Sequence, residues 1–273
     1  MLFPVLAFPA LAQPRPVLVA SFSILGDMLA QVAPEGAEIR VIAGPEADAH
    51  GFQARPSHVE ALRGATLAVR NGQGFDGWFD RLARAADFRG TLVTALEGPG
   101  LRPGDPHGWQ DVTLARGYAR RIAAGLGSPN RLEAFYARLG ALDAWIRTEI
   151  GRVPPERRIV LTSHDSFGYF GAAYGVRFVA PQGVSTAAEP SAQGVAALIR
   201  QIRAQRITAV FMDHLGNPAT LRRLAAEAGV SVVGRLFAES LSAPGGPAPG
   251  YEAMMRHNVG LMVPAMLGEV PRG

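Results

Sequence analysis

The sequence predicts an α/β protein of two lobes with parallel sheets, joined by one long helix. Short apolar runs alternate with segments of helical periodicity along most of the chain, which is typical of βαβ units. One longer helical segment interrupts this alternation, which then starts again. With 273 residues, 48% of them hydrophobic and 18% charged, the chain has enough apolar material for two buried cores.

The first lobe is predicted over residues 13–127, where four apolar runs each precede a helical pattern. The pairs are "PVLVASF" with "ILGDMLAQVA", "AEIRVIAG" with "PSHVEALRG", "ATLAVRN" with "FDGWFDRLARAA", and "TLVTAL" with "QDVTLARGYARRIAAGL". Consecutive parallel strands need a crossover connection, usually a helix, and these helical patterns supply it. The order therefore predicts a Rossmann-like lobe.

The linking helix is predicted over residues 128–152. Apolar residues recur at helical spacing from Leu132 to Ile150, after a Ser-Pro start and before a Pro-Pro stop. A helix of about 20 residues is roughly 30 Å long and forms a stiff connector. We therefore expect the two lobes to be joined rigidly.

The second lobe is predicted over residues 153–273, where the alternation resumes. Its strand-like runs are "RRIVLTS", "VRFVAP", "ITAVFMD" and "VSVVGRLF", and its helical patterns are "FGYFGAAYG", "GVAALIRQIRAQR", "NPATLRRLAAEAG" and "YEAMMRHNVGLMVPAML". This arrangement predicts a second Rossmann-like lobe. The two lobes would face each other across a cleft.

Residues 1–12 are predicted to be a signal peptide. An apolar run leads to Ala10-Leu11-Ala12 before Gln13, which is a small-x-small cleavage pattern, although no basic residue precedes the run. The alternative is a short apolar strand. Export of the chain leads us to expect a soluble, monomeric protein in a periplasm.

The chain contains no cysteine. Thiolate metal ligands, disulfides and cysteine nucleophiles are therefore excluded from these residues. A lipid anchor on an N-terminal cysteine is likewise not expected.

All 27 basic side chains are arginine, and the formal net charge is +4. The arginines are scattered along helical patterns such as "LRRLAAEAG" and do not alternate with aromatic residues. Base stacking on nucleic acid needs that interleaving, so no nucleic-acid partner is expected.

A glycine motif, "RNGQGFDGW" at residues 70–78, raises the alternative of nucleotide binding. Gly72, Gly74 and Gly77 form G-x-G-x-x-G after an apolar run, and Glu97 follows Gly77 by 20 residues. A dinucleotide fingerprint belongs to the first strand of its unit, whereas this motif follows the third. We therefore interpret the glycines as serving a tight turn and the close packing of a helix start.

Three histidines follow predicted strands or lie in loops before helices: His50 and His107 in the first lobe, and His164 in the second. Glu239 in "LFAESLS" ends a further strand of the second lobe. In open α/β sheets the carboxyl ends of strands face the ligand crevice, so these four side chains can meet in the cleft. Three imidazoles and a carboxylate suit a divalent metal. The alternative for each histidine is a loop residue hydrogen-bonded to backbone.

Several blocks of the chain resemble the zinc/manganese solute-binding proteins of ABC importers, the cluster A-I family. They are "ASFSILGDMLAQV", "GPEADAHGFQARPSHVEAL", "VRNGQGFDGW", "DPHGWQD", "TSHDSFGYFGAAYGV" and "FAESLS…YEAMMRHN", in order from about residue 17 to the C-terminus. The resemblance implies a metal site in the interlobe cleft made of His50, His107, His164 and Glu239. Family members often carry Asp where this chain has Glu239.

The resemblance also implies a function: capture of a divalent metal ion and its delivery to an ABC transporter permease, with a metallochaperone as an optional further partner. Zn²⁺ is the predicted ion because three imidazoles suit it, and because manganese-preferring members tend to carry Glu at the position of His164. The alternatives are a manganese- or iron-binding member of the same family, and a metallohydrolase using the same ligands.

The hydrolase alternative is disfavoured by the ligand count. Four protein ligands would fill a tetrahedron, whereas catalytic zinc keeps a position open for water. We therefore expect no enzymatic activity. Asp48 and Asp105 each precede a predicted ligand histidine by two residues; each either orients that ring or is a plain loop acid.

Overall fold

The computed structural model describes residues 15–127, 131–180, 192–205, 207–213 and 218–269. The predicted signal peptide and its alternative as a strand lie outside these residues. The lobe boundaries predicted at residues 13–127, 128–152 and 153–273 remain predictions.

The first sheet has four parallel strands in the order β2-β1-β3-β4. The strands are β1 (Val17–Phe22), β2 (Glu38–Ala43), β3 (Leu67–Arg70) and β4 (Thr91–Thr94). The helices between and after them are α1 (Ser23–Val32), α2 (Pro56–Leu62), α3 (Gly77–Ala85) and α4 (Val112–Leu126). Each predicted apolar run of the first lobe therefore contains a strand, which confirms its parallel α/β architecture.

The second sheet also has four parallel strands, in the order β6-β5-β7-β8. The strands are β5 (Ile159–Leu161), β6 (Arg177–Val179), β7 (Ala209–Asp213) and β8 (Gly234–Leu236). Its helices are α6 (Gly168–Tyr174), α7 (Ala192–Gln205), α8 (Pro218–Ala228) and α9 (Tyr251–Leu267). The prediction of two parallel-sheet lobes is confirmed.

The long helix predicted between the lobes is α5 (Leu132–Gly151), with 20 residues. Its buried side chains recur at helical spacing and give it one apolar face. They are Leu132, Phe135, Leu139, Leu142, Ile146 and Ile150. This face packs against α4 and α1 of the first lobe and against α9. Because α5 is buried along its length, it is part of the core as well as a connector.

The segment between β8 and α9 binds the first lobe, which the sequence did not predict. The backbone N–H of Leu241 donates to Ser23 Oγ at 3.0 Å, and its carbonyl accepts from Glu46 N at 3.0 Å. The Tyr251 hydroxyl donates to the Trp109 carbonyl at 2.7 Å. Residues assigned to the second lobe by sequence therefore hold both lobes together.

Across the described ranges, no helix combines the length and apolar character that crossing a bilayer requires.

Asp27 on α1 supports the start of α9 across the two lobes. Its Oδ2 accepts the Tyr251 backbone N–H at 2.9 Å, an amide that has no partner within its own helix. We expect Asp27→Ala to lower the free energy of unfolding by about 1–2 kcal/mol, because that amide loses its acceptor. Urea denaturation measures the change. The exposed Glu35→Ala variant is the control, and equal midpoints for both variants would contradict the assigned role.

Candidate metal centre

The four side chains selected from the sequence converge on one point. The Nε2 atoms of His50, His107 and His164 lie 3.0, 3.0 and 2.8 Å from Glu239 Oε1. The Nε2 atoms of His50 and His107 are 3.3 Å apart. One ligand atom from each of His50, His107 and Glu239 lies within 4.8 Å of the others, so these three side chains could hold one metal ion; His164 is not part of this group, although its Nε2 contacts Glu239 Oε1.

Chain topology explains this convergence. His50 follows β2, His107 follows β4, His164 follows β5 and Glu239 follows β8, so every one of them lies beyond the carboxyl end of a strand. Parallel strands present their carboxyl ends at one edge of the sheet. The two sheets turn these edges toward each other, and the four loops meet between them.

The side chain of His50 is less buried than those of the other three residues. The side chains of His107, Glu239 and His164 are 0%, 2% and 3% exposed, whereas that of His50 is 12% exposed. The His50 ring packs edge-on against Phe75, with centroids 4.5 Å apart. The centre is therefore shielded from bulk water on every side except that of His50.

In two of the imidazole rings, the Nδ1 atom binds a carboxylate. Asp105 Oδ1 lies 2.9 Å from His107 Nδ1, and Asp213 Oδ2 lies 2.5 Å from His164 Nδ1. A carboxylate at Nδ1 favours the tautomer that carries the proton there, which leaves the Nε2 lone pair for a metal. Arg102 in turn donates to Asp105 Oδ2 at 3.1 Å.

Asp48 and Asp105, which precede His50 and His107 by two residues, form different hydrogen bonds. Asp105 binds both the ring and the backbone N–H of His107. Asp48 Oδ1 accepts the backbone N–H groups of His50 and Gly51 at 2.9 and 3.3 Å, so it shapes the loop that carries His50. The expectation that Asp105 orients its histidine is confirmed.

Asp213, the partner of His164, was not predicted from the sequence. It ends β7, which pairs directly with β5, so the carboxyl ends of the two strands are adjacent. Ser163 Oγ accepts the Asp213 backbone N–H at 2.8 Å. An acid at the end of a strand was the available signal, but the β5–β7 pairing was needed to connect it to His164. The neighbouring His214 lies outside the described residues.

Electrostatics at the centre couple the four groups. Burial opposes a charge on His164, but Asp213 and Glu239 outweigh it and raise the pKa of His164 to about 11. Burial likewise disfavours protonation of His107, yet its bonds to Asp105 and Glu239 raise the pKa of that imidazole. Burial favours neutral Glu239, but three histidines hold its pKa well below the usual range. A positive charge beside the buried carboxylate is therefore favoured, whether protons on His107 and His164 or a cation supply it.

The backbone around Glu239 is fixed by first-lobe side chains. Trp109 Nε1 and Gln110 Nε2 both donate to the Ala238 carbonyl, at 2.8 and 2.9 Å. On the other side, Asn258 of α9 accepts from Phe237 N at 2.9 Å and donates to Phe237 O at 2.7 Å. The carboxylate is therefore held by both lobes before any ion binds.

The glycine motif forms a tight turn, as interpreted from the sequence, but close packing of the helix start is not observed, because a Cβ at Gly77 would meet no atom within 4 Å. Gly72 and Gly74 have φ angles of 91° and 80°, values that favour glycine. Asp76 closes the turn by accepting the backbone N–H groups of Asn71 and Gly72 at 2.6 and 3.0 Å. The Asn71 amide donates to the Pro106 carbonyl at 2.9 Å, immediately before His107. The turn therefore helps to position the metal centre.

A family model described as "Zinc-uptake complex component A periplasmic" matches residues 18–265. The zinc-binding protein TroA of Treponema pallidum is 29% identical, over 94% of this chain and 91% of TroA. The manganese-binding lipoprotein MntA of Halalkalibacterium halodurans is 27% identical, over 90% of this chain and 87% of MntA. The iron-binding protein YfeA of Yersinia pestis is 27% identical, over 89% and 83% of the two chains.

One of these relatives is named a lipoprotein. That name conflicts with our expectation that this protein carries no lipid anchor. This relative therefore does not support the expectation.

The solved structure of the periplasmic zinc-binding protein TroA from Treponema pallidum superposes with a TM-score of 0.82 at 26% identity. The match covers 93% of this chain and 99% of that structure. The likeness extends over both lobes and agrees with the family match, which spans nearly the whole described chain. The chain belongs to the family of periplasmic zinc-uptake complex component A.

Proposed function

We propose that this protein captures one divalent metal ion, zinc, in the periplasm and delivers it to an ABC permease. The observation that carries the proposal is the convergence of three imidazole Nε2 atoms on one buried carboxylate oxygen, within 3.0 Å. His50, His107, His164 and Glu239 are the proposed ligands. Membership of the zinc-uptake family supports the transport role.

Zinc is favoured over manganese and iron by the donor set. Three nitrogen donors and one carboxylate suit tetrahedral Zn²⁺, whereas Mn²⁺ favours more oxygen ligands. The relatives are named for zinc, manganese and iron, so the choice of zinc depends on the residues themselves.

Binding and release, without catalysis, fit the buried centre best. The two acids nearest the histidines, Asp105 and Asp213, both bind imidazole Nδ1 atoms, which engages them as orienting groups instead of general bases. Four protein ligands also fill the coordination that a hydrolase would leave partly open for water. A carrier needs this closed arrangement to hold its ion.

Replacement of one ligand tests the site. We expect His164→Ala to weaken zinc binding by at least about a hundredfold, because the variant loses one of four donors and Asp213 loses its bond to the imidazole ring. Chelator competition with elemental analysis measures affinity and stoichiometry. His257→Ala is the matched control, since His257 is partly exposed and its Nε2 lies 3.1 Å from the Arg235 carbonyl, away from the centre. Equal zinc affinity in both variants would overturn the assignment.

Metal preference depends on the donor at position 164. His164→Glu combined with Asp213→Asn replaces a nitrogen donor by oxygen and avoids placing the new carboxylate against that of Asp213. We expect the ratio of Zn²⁺ to Mn²⁺ affinity to fall about tenfold or more, because oxygen donors favour Mn²⁺. Competition titrations with both ions measure the ratio, and Asp213→Asn alone is the control. An unchanged ratio would show that His164 does not set selectivity.

Acid should weaken metal binding. With the pKa of His164 raised to about 11, the metal-free site carries a proton on this ring at neutral pH, and a metal must displace it. Affinity should therefore fall as pH falls from 8 to 5, by about tenfold per unit for each displaced proton. Calorimetry in buffers of different ionisation enthalpy counts the released protons. An affinity that is constant over this range would argue against histidine ligands.

A further inference from the structure

A groove runs from the surface of the first lobe to His50. It lies between the loop that carries His50 and helix α3, and its volume is about 920 Å³. Its walls are formed by residues 50–56, Val59, Gly74, Phe75, Gly77, Trp78, Arg81, Leu82 and Ala85. His50 is the most exposed of the four proposed ligands, so this groove connects bulk solvent with the metal centre.

The groove carries positive charge, which disfavours the approach of a free metal cation. Its lining includes two arginines, Arg55 and Arg81, and no acidic residue. Both arginines are exposed, and neither guanidinium forms an ion pair with an acid anywhere in the part of the chain that the structure describes. The nearby Asp48 directs a carboxylate oxygen to backbone N–H groups of its own loop. The approach to a cation site is thus positively charged.

Two cations along this path repel a hydrated dication and attract an anion. Charges of one sign in a cleft change local ligand concentration and association rates by about tenfold to a thousandfold at low salt. When the negative charge of a bound polycarboxylate exceeds the positive charge of the metal ion, the complex as a whole is an anion. The arginines would then attract this complex to the groove.

We propose that this groove binds a low-molecular-weight carboxylate chelate of the transported metal, with Arg55 and Arg81 pairing with its carboxylates. The inference rests on the proposed metal-carrier function. In the transfer step, one metal–carboxylate bond breaks as the metal–Nε2 bond to His50 forms. The metal keeps its oxidation state, and the freed carboxylate remains paired with arginine until the chelator leaves.

The dimensions and surface of the groove fit such a ligand. Pockets for small organic molecules span roughly 300–1,000 Å³, and this groove lies within that range. Phe52 and Trp78, with ring centroids 4.7 Å apart, form an aromatic wall for the carbon skeleton of the chelator. Guanidinium groups bind carboxylates through two parallel hydrogen bonds, which orients the chelate as well as attracting it.

The test compares the rates of zinc loading from two sources. Zinc is supplied to metal-free protein either as the zinc–citrate anion or as the hydrated ion in a non-coordinating buffer. Stopped-flow tryptophan fluorescence follows loading, because the Trp109 ring lies 5.3 Å from that of His107. The variant is Arg55→Gln/Arg81→Gln. The control is Arg120→Gln/Arg200→Gln, which removes the same charge from exposed positions on α4 and α7.

We expect the groove variant to load from zinc–citrate at least about tenfold more slowly than the wild type, and to load from the hydrated ion no more slowly. Its equilibrium zinc affinity should stay within about twofold, because neither arginine is a ligand. The control variant should match the wild type with both sources. Calorimetry should also detect binding of metal-free citrate to the wild type, weakened in the groove variant.

Equal loading from zinc–citrate in the wild type and the groove variant would overturn the proposal. So would equal slowing in the control variant, because that result would reflect net charge alone. A wild-type protein that binds no zinc at equilibrium would contradict the carrier function, while citrate binding that depends on Arg55 and Arg81 would still identify the groove as a carboxylate site. These outcomes separate the two proposals.

Discussion

The buried carboxylate of Glu239 organises the centre of this molecule. An isolated charge in a protein interior is strongly unfavourable, and it persists only where partners compensate it. Here three imidazoles approach a single oxygen, two of them held by carboxylates of their own. Each group thus needs its neighbours: the rings neutralise Glu239, and Asp105 and Asp213 keep those rings in place. Because residues of both lobes take part, the charge balance also holds the two lobes together.

The same balance explains how the site can exist without metal and still accept it. Protons on His107 and His164 favour the ionised carboxylate of Glu239, as a bound cation would. A divalent ion brings the positive charge that those protons supply. We therefore expect the binding of a divalent ion to release protons from these rings.

Much of this arrangement could be predicted from the sequence, for identifiable reasons. Strands and helices alternate with clear periodicity, and a side chain placed after a parallel strand lies at the ligand edge, which was enough to select His50, His107, His164 and Glu239. Asp105 could be identified because it is two residues from its partner. Asp213 could not, since 49 residues separate it from His164 and only the β5–β7 pairing brings them together. The attachment of residues 237–251 to the first lobe was missed for a similar reason: those bonds are made by loop backbone, which has no residue pattern of its own.

This attachment changes how the four proposed ligands are shared between the lobes. By chain order they divide equally between the lobes, but Trp109, Gln110 and Ser23 bind the segment around Glu239 to the first lobe. Glu239 is therefore tied to both lobes, since Asn258 of α9 also binds Phe237, whereas His50 and His107 belong to the first lobe and His164 to the second. If the four proposed ligands hold the ion, a movement of the second sheet away from the first would withdraw His164 and leave the three whose segments the first lobe binds, with one vacant coordination position. A receiving ligand could enter there and take over the ion stepwise, so that the ion is never stripped of all its donors at once.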